Sequence, residues 1–108
     1  LNPKFTTPIN NKAFLLSTCP EASIRDGNMA AELSERALTL DPKSAYAMNA
    51  RACAYAAAGD FKKAIEWQRR AMEDKDFMND DGVYGGKSAS ERIAKWEAEE
   101  LWLLPSKP

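Results

Sequence analysis

Apolar residues recur at three- and four-residue steps after Phe61, at Ala64, Ile65, Ala71 and Met72, with charged residues between them. That spacing puts one apolar stripe on a helix and predicts an amphipathic helix over 61–74. Just upstream, nearly every residue from Ala45 to Ala58 is a good helix former and Ala dominates, so a helix over 44–58 is expected. Gly59-Asp60 breaks the pattern between them: Gly suits the left-handed position after a helix, and Asp can cap the next one. The same reading places helices over 6–18 and 28–39, and no strand anywhere. Near the end, Ala89, Ile93, Trp96 and Leu103 form a stripe interrupted by Glu100, which predicts a helix over 88–103. Ser88-Ala89-Ser90-Glu91 has the spacing of a capping box, and Glu91 with Lys95 adds a small helical bonus. Residues 77–87, with Asn79-Asp80-Asp81-Gly82 and Gly85-Gly86, are expected to form an acidic, Gly-rich loop.

The chain repeats itself. Leu1-Asn2-Pro3-Lys4 returns as Leu40-Asp41-Pro42-Lys43, and at the same offset Asn10 falls on Asn49 and Ala13 on Ala52. Further along the offset shortens: Asp26, Ala30, Glu32, Arg36 and Ala37 fall on Asp60, Ala64, Glu66, Arg70 and Ala71. Offsets of 39 and then 34 describe a unit carrying five extra residues in its first copy, around Cys19–Arg25, where Pro20 stops a helix. Small residues at Ala52, Ala64 and Ala71 suit close helix crossings. Two antiparallel helices with a short turn, repeated, make a solenoid.

The stretch from Ala45 to Asp76, with Ala52, Tyr55, Gly59-Asp60-Phe61, Ala64 and Ala71, closely resembles the tetratricopeptide repeat family. The first copy, with Leu15-Leu16-Ser17-Thr18-Cys19-Pro20 and Arg25-Asp26-Gly27, looks like a bacterial variant with a longer inter-helix turn. The resemblance implies an all-α, right-handed superhelical array of two antiparallel helix pairs plus a C-terminal capping helix. Residues 1–4 are then the end of an upstream repeat, 5–41 a repeat with the five-residue insertion, and 42–76 the second repeat. The loop 77–87 follows, and 88–104 cover the exposed end, with Trp96 against the second repeat. Lys12 and Arg51 stand where the family usually has an apolar residue, so their stems are expected to snorkel along the helices.

Composition narrows the function. Lys plus Arg is 15 and Asp plus Glu is 16, for a net charge of −1, so no basic excess favours nucleic acid. No apolar run is long enough to cross a membrane. With zero His and two Cys the usual metal-ligand sets and the His-dependent catalytic sets cannot be assembled, so neither enzyme, metal nor cofactor is expected. Gly86-Lys87-Ser88 lacks the upstream Gly of a phosphate loop, and Asp74, Asp76, Asp80 and Asp81 lack the alternation of a calcium loop. Cys19 and Cys53, without a Cys-x-x-Cys setting, are expected to be free thiols. Trp102 lies off the apolar stripe and is expected to mark either a contact surface or a place where a missing partner packs.

What remains is recognition. The resemblance implies that the first helix of each pair lines a groove for a protein or peptide partner. In register, the groove residues are Thr7, Asn10, Phe14 and Ser17 in the first unit and Tyr46, Asn49, Cys53 and Ala57 in the second. The matched Asn10 and Asn49 can hold a peptide backbone without reading its sequence, because an amide both donates and accepts. The alternative is a structural role, in which the chain is the dimerising end of a larger solenoid protein and forms a homo-oligomer. Nothing in the residues assigns a compartment.

Overall fold

The computed structural model describes residues 3–105, with side chains from Thr6 onward. Leu1 and Asn2 of the expected upstream tail lie outside the described residues. The described chain is all-helical: α1 (Pro3–Thr18), α2 (Gly27–Leu40), α3 (Ala45–Ala57), α4 (Phe61–Ala71), α5 (Lys75–Asn79), a 3-10 turn (Gly86–Ser88) and α6 (Ala89–Glu97). No strand occurs among the described residues.

Short polar side chains start these helices in one recurrent way. Asp26, Ser44, Asp60 and Asp74 each accept from the backbone N–H three residues on, at Met29, Ala47, Lys63 and Phe77. Each bond satisfies a donor that the first turn leaves without an intrahelical partner. At the end of α3, Gly59 takes φ +89° while Asp60 N–H reaches Tyr55 C=O and Gly59 N–H reaches Ala56 C=O, both at 2.9 Å. That pair of bonds is a Schellman turn, and Gly fills its left-handed position without a Cβ clash.

The helices pack in pairs, α1 on α2 and α3 on α4, with α3 also against both α1 and α2, and α6 against α4. Alanines make this close approach feasible. Ala13, Ala30, Ala37, Ala47, Ala52, Ala64, Ala71 and Ala89 are all fully buried. The few large fully buried apolar side chains are Phe14, Phe77 and Trp96. A phenylalanine removed from water contributes roughly 1.5–3 kcal/mol, so these few carry much of the apolar term. The link between α1 and α2 runs over eight residues, 19–26, against three, 58–60, between α3 and α4. Two bonds close the longer link: Arg25 Nη1 donates to Cys19 C=O at 2.8 Å, and Asp26 N–H donates to Leu16 C=O at 2.9 Å.

Several expectations change after residue 71. Helix α4 ends at Ala71 rather than at 74, because Asp74 is committed to capping α5 inside the expected loop. The chain returns so close to α5 that a Cβ on Gly85 would stand 2.2 Å from the Asp80 carbonyl oxygen, and one on Gly86, in the 3-10 turn, 2.8 Å from the Phe77 carbonyl oxygen. The Gly-Gly pair thus serves backbone packing. The capping box does not form: Ser88 makes no side-chain bond to the start of α6. Lys95 lies 3.7 Å from Glu100 rather than pairing with Glu91.

Helix α6 stops at Glu97, six residues before the expected end. Glu99 adopts φ +59°, and Glu100 N–H to Lys95 C=O and Glu99 N–H to Trp96 C=O form a second Schellman turn. The chain then runs without helix through 101–105, and Leu104 N–H donates to Thr18 C=O at the end of α1. The stripe positions Ala89, Ile93 and Trp96 are buried, whereas Leu103 belongs to this returning segment.

Candidate functional site

The eight expected groove residues come from α1 and α3, which lie side by side, but they meet different environments; Ala57, the last residue of α3, is partly exposed. At one end Thr7, Asn10 and Tyr46 line a cavity of about 460 Å³ together with Thr6, Asn11, Asp41, Ser44, Asp80 and Tyr84. Further along the same face Phe14, Ser17, Asn49 and Cys53 are buried, with at most 2% exposure. The expectation that this part is an open groove is therefore corrected, and the cause is visible in the packing.

The chain's own C-terminal part covers it. The Phe14 ring meets Tyr84 edge-on at 5.4 Å and Trp102 at 6.1 Å. Phe14 and Cys53 share a core cluster with Ala52, Ala56, Ala64 and Trp96, so Trp96 does stand against the second helix pair. Trp102, which the apolar stripe left out, packs against that cluster. Ser17 Oγ donates back to Ala13 C=O at 2.8 Å, and Thr18 Oγ1 to Phe14 C=O at 2.7 Å. The hydroxyl of Ser17 is thus consumed within its own helix.

Asn49 has its amide oxygen occupied twice. Gln68 Nε2 and Arg92 Nη2 both donate to Asn49 Oδ1 at 2.9 Å, and Arg92 Nε donates to Gln68 Oε1 at 2.7 Å. Three side chains from α3, α4 and α6 thereby form one buried polar network. Arg92 is fully buried and is hydrogen-bonded here to amides rather than to a carboxylate. The Phe14 and Trp102 rings lie 5.7 and 5.1 Å from its guanidinium carbon, close enough for the ring faces to stabilise the charge. Burial still pushes its pKa below the usual arginine value. Two polar atoms of this region, Arg92 Nη1 and Trp96 Nε1, are buried without a hydrogen-bond partner. Sequence reasoning missed Gln68 and Arg92, because a polar residue on a helix gives no sign that a third helix will cover it.

Cys53 and Cys19 are free thiols. Burial pushes the Cys53 pKa up to about 11, against the opposing pull of the nearby Arg92 charge, so this sulfur is not an activated nucleophile. Arg51 snorkels as expected: Nη1 reaches Ala31 C=O at 3.2 Å, Nη2 reaches the Tyr55 hydroxyl at 3.0 Å, and the guanidinium lies 4.7 Å over the Tyr55 ring. Lys12 is simply exposed.

The cavity end has a different character. Tyr46 donates its hydroxyl proton to Asp80 Oδ2 at 2.5 Å, and Asp80 Oδ1 accepts from Gly82 N–H at 2.8 Å. These two donors hold the Asp80 carboxyl below the usual carboxylate range. Burial, reinforced by that hydrogen bond and the Asp80 charge, pushes Tyr46 up to about 12. The Tyr46 ring meets Phe77 edge-on at 5.2 Å, which ties the cavity wall to α5. Asn10 is 5% exposed, and its Oδ1 is buried with no hydrogen-bond partner. Among the described residues no group of His, Cys, Asp and Glu has the arrangement to hold a metal ion, and no helix is long and apolar enough to cross a membrane.

Neither curated proteins nor solved structures give a match to this chain. A family profile described as Tetratricopeptide repeat matches residues 33–66, which run from the second half of α2 through α3 into α4. The match thus centres on the helix whose Ala-rich faces pack against both pairs. Such repeats are in general non-catalytic modules for contact between proteins, and a protein partner is the general expectation they carry. Over residues 33–66 the chain is thus similar to a tetratricopeptide repeat, and that stretch sits within an all-helical array.

Proposed function

We propose that the chain binds an extended segment of a partner protein at the cavity end of the α1/α3 face. The observation that supports this reading is the cavity itself. It is the stretch of that face which Thr7, Asn10 and Tyr46 line and which the C-terminal segment leaves uncovered. Elsewhere on the face the chain supplies the contacts that a partner would have made: Arg92 occupies Asn49, and Trp102 and Tyr84 sit on Phe14. Recognition is therefore concentrated at Thr7, Asn10 and Tyr46, with Asn11, Ser44 and Tyr84 completing the wall. Polar groups fixed on helices, beside two aromatic rings, are the usual makings of a peptide site.

Selection of a displayed random-peptide library on the full chain tests the reading. Peptides should be enriched, and their affinity should fall about tenfold or more, roughly 1.4 kcal/mol, when Thr7→Tyr fills the cavity. Thr7 is exposed, so that change leaves the fold intact. Failure to enrich any peptide, or peptides that bind Thr7→Tyr as well as the parent, would overturn it.

A further inference from the structure

The cavity lining is chemically one-sided. It holds two carboxylates, Asp41 and Asp80, and no lysine or arginine among the described residues. The Tyr46 hydroxyl spends its proton on Asp80, so toward the cavity its oxygen can only accept. Asn10, nine-tenths buried in the wall, carries an acceptor oxygen that no group among the described residues satisfies. A buried acceptor left without a donor carries a cost that an incoming N–H removes. The rings of Tyr46 and Tyr84 line the same space, and aromatic rings attract cations and pack on aliphatic stems. An anionic ligand would meet two like charges here, while a neutral apolar one would leave the acceptors unpaired.

We infer that this cavity is a subsite for a side-chain cation, the lysine ammonium or arginine guanidinium of the bound segment, held between Asp41, Asp80 and the unsatisfied Asn10 oxygen. The inference rests on the proposed binding of a partner segment at this face and adds its chemistry. A volume of about 460 Å³ exceeds what one such side chain fills, so its stem and adjoining backbone enter too. The subsite selects on positive charge, which the described lining itself lacks.

The probes are N-acetyl-lysine methylamide and N-acetyl-arginine methylamide, with the norleucine analogue as the neutral control. Titrated into the full chain and followed by amide NMR, at least one cationic probe should give saturable shifts at Asn11, Tyr46 and Tyr84. The control should bind at least about tenfold more weakly. Raising the salt should weaken the cationic probe, since the carboxylates are open to solvent. Asp41→Asn should weaken it about threefold or more; Asp41 lies between α2 and α3, outside the buried network. No saturable shift with either cation, or equal binding of norleucine, overturns the inference. The library selection separates the two readings. If peptides without lysine or arginine bind through the cavity, the cation inference fails and the segment reading stands. If a cationic probe binds but no peptide is ever enriched, the subsite is real and the segment reading fails.

Discussion

Asn49 accepts from both Gln68 and Arg92 in a site only 2% exposed. Asn49→Ala removes one acceptor and strands two buried donors, one of them charged. The expected cost is about 2–3 kcal/mol, read from urea melts. Before burial is known, the same substitution is expected to stay within about 0.5 kcal/mol, as for a surface residue. A melt unchanged by Asn49→Ala would show that the network contributes nothing. Tyr46 gives a pH signature. Its folded pKa, about 12, lies above the ordinary phenol value near 10, so the protonated form is the one that folding favours. Stability from this group is fully present below about pH 10 and is lost as pH rises toward 12. Ultraviolet titration of the parent minus Tyr46→Phe should isolate a phenol ionising near pH 12; a normal midpoint would refute the hydrogen bond to Asp80. Asp80 carries the opposite sign. Its contribution is present above the ordinary carboxylate range and is lost as pH falls through its lowered pKa.

At the scale of elements, two helices end in the same turn with different residues in the left-handed position. Gly59 fills it after α3, and Glu99 at φ +59° fills it after α6. A side chain with a Cβ is strained there by about 1 kcal/mol, while Gly is not. Glu99→Gly should therefore raise stability by about 0.5–1 kcal/mol, and Gly59→Ala should lower it by a similar amount. Thermal melts of both variants check the pair; a loss on Glu99→Gly would mean that the exposed carboxylate matters more than the backbone. The absence of a Gly at this turn also explains why α6 looks six residues longer in sequence. Glu97-Ala98-Glu99-Glu100 contains no Gly or Pro stop signal. What ends the helix is the burial available to Leu101, Trp102 and Leu104 once the chain turns back.

On the scale of the whole molecule, the C-terminal segment closes the α1/α3 face through Trp102 and one backbone bond, Leu104 to Thr18. Trp102 is half-buried against Phe14 and Arg92. Trp102→Ala should cost about 2 kcal/mol, less than for a fully buried Trp, because part of the ring already meets water. Urea melts measure it, and tryptophan fluorescence should shift as Phe14 loses cover. A cost below about 0.5 kcal/mol would mean that the segment lies on the face without holding the array together.

Local chemistry is legible in the letters. The cap at Asp60, the Gly59 turn, the first four helices and the alanine crossings all follow from interactions within a few residues or from a fixed repeat. So does the likeness to a tetratricopeptide repeat over residues 33–66. Fold class needs only periodicity and propensity, both carried by sequence. The site is different. Whether Asn49 and Cys53 face a groove or a core depends on where residues 80–104 come to rest, 27 to 55 positions away. The apolar stripe of α6 says that it must be covered, yet it does not say that Arg92 will reach Asn49 or that Trp102 will return to Phe14. Those contacts are chosen by the burial gained when several elements meet at once, which no local pattern encodes. Tertiary structure alone thus decided that Thr7, Asn10 and Tyr46 remain around an open cavity while Phe14, Ser17, Asn49 and Cys53 became core.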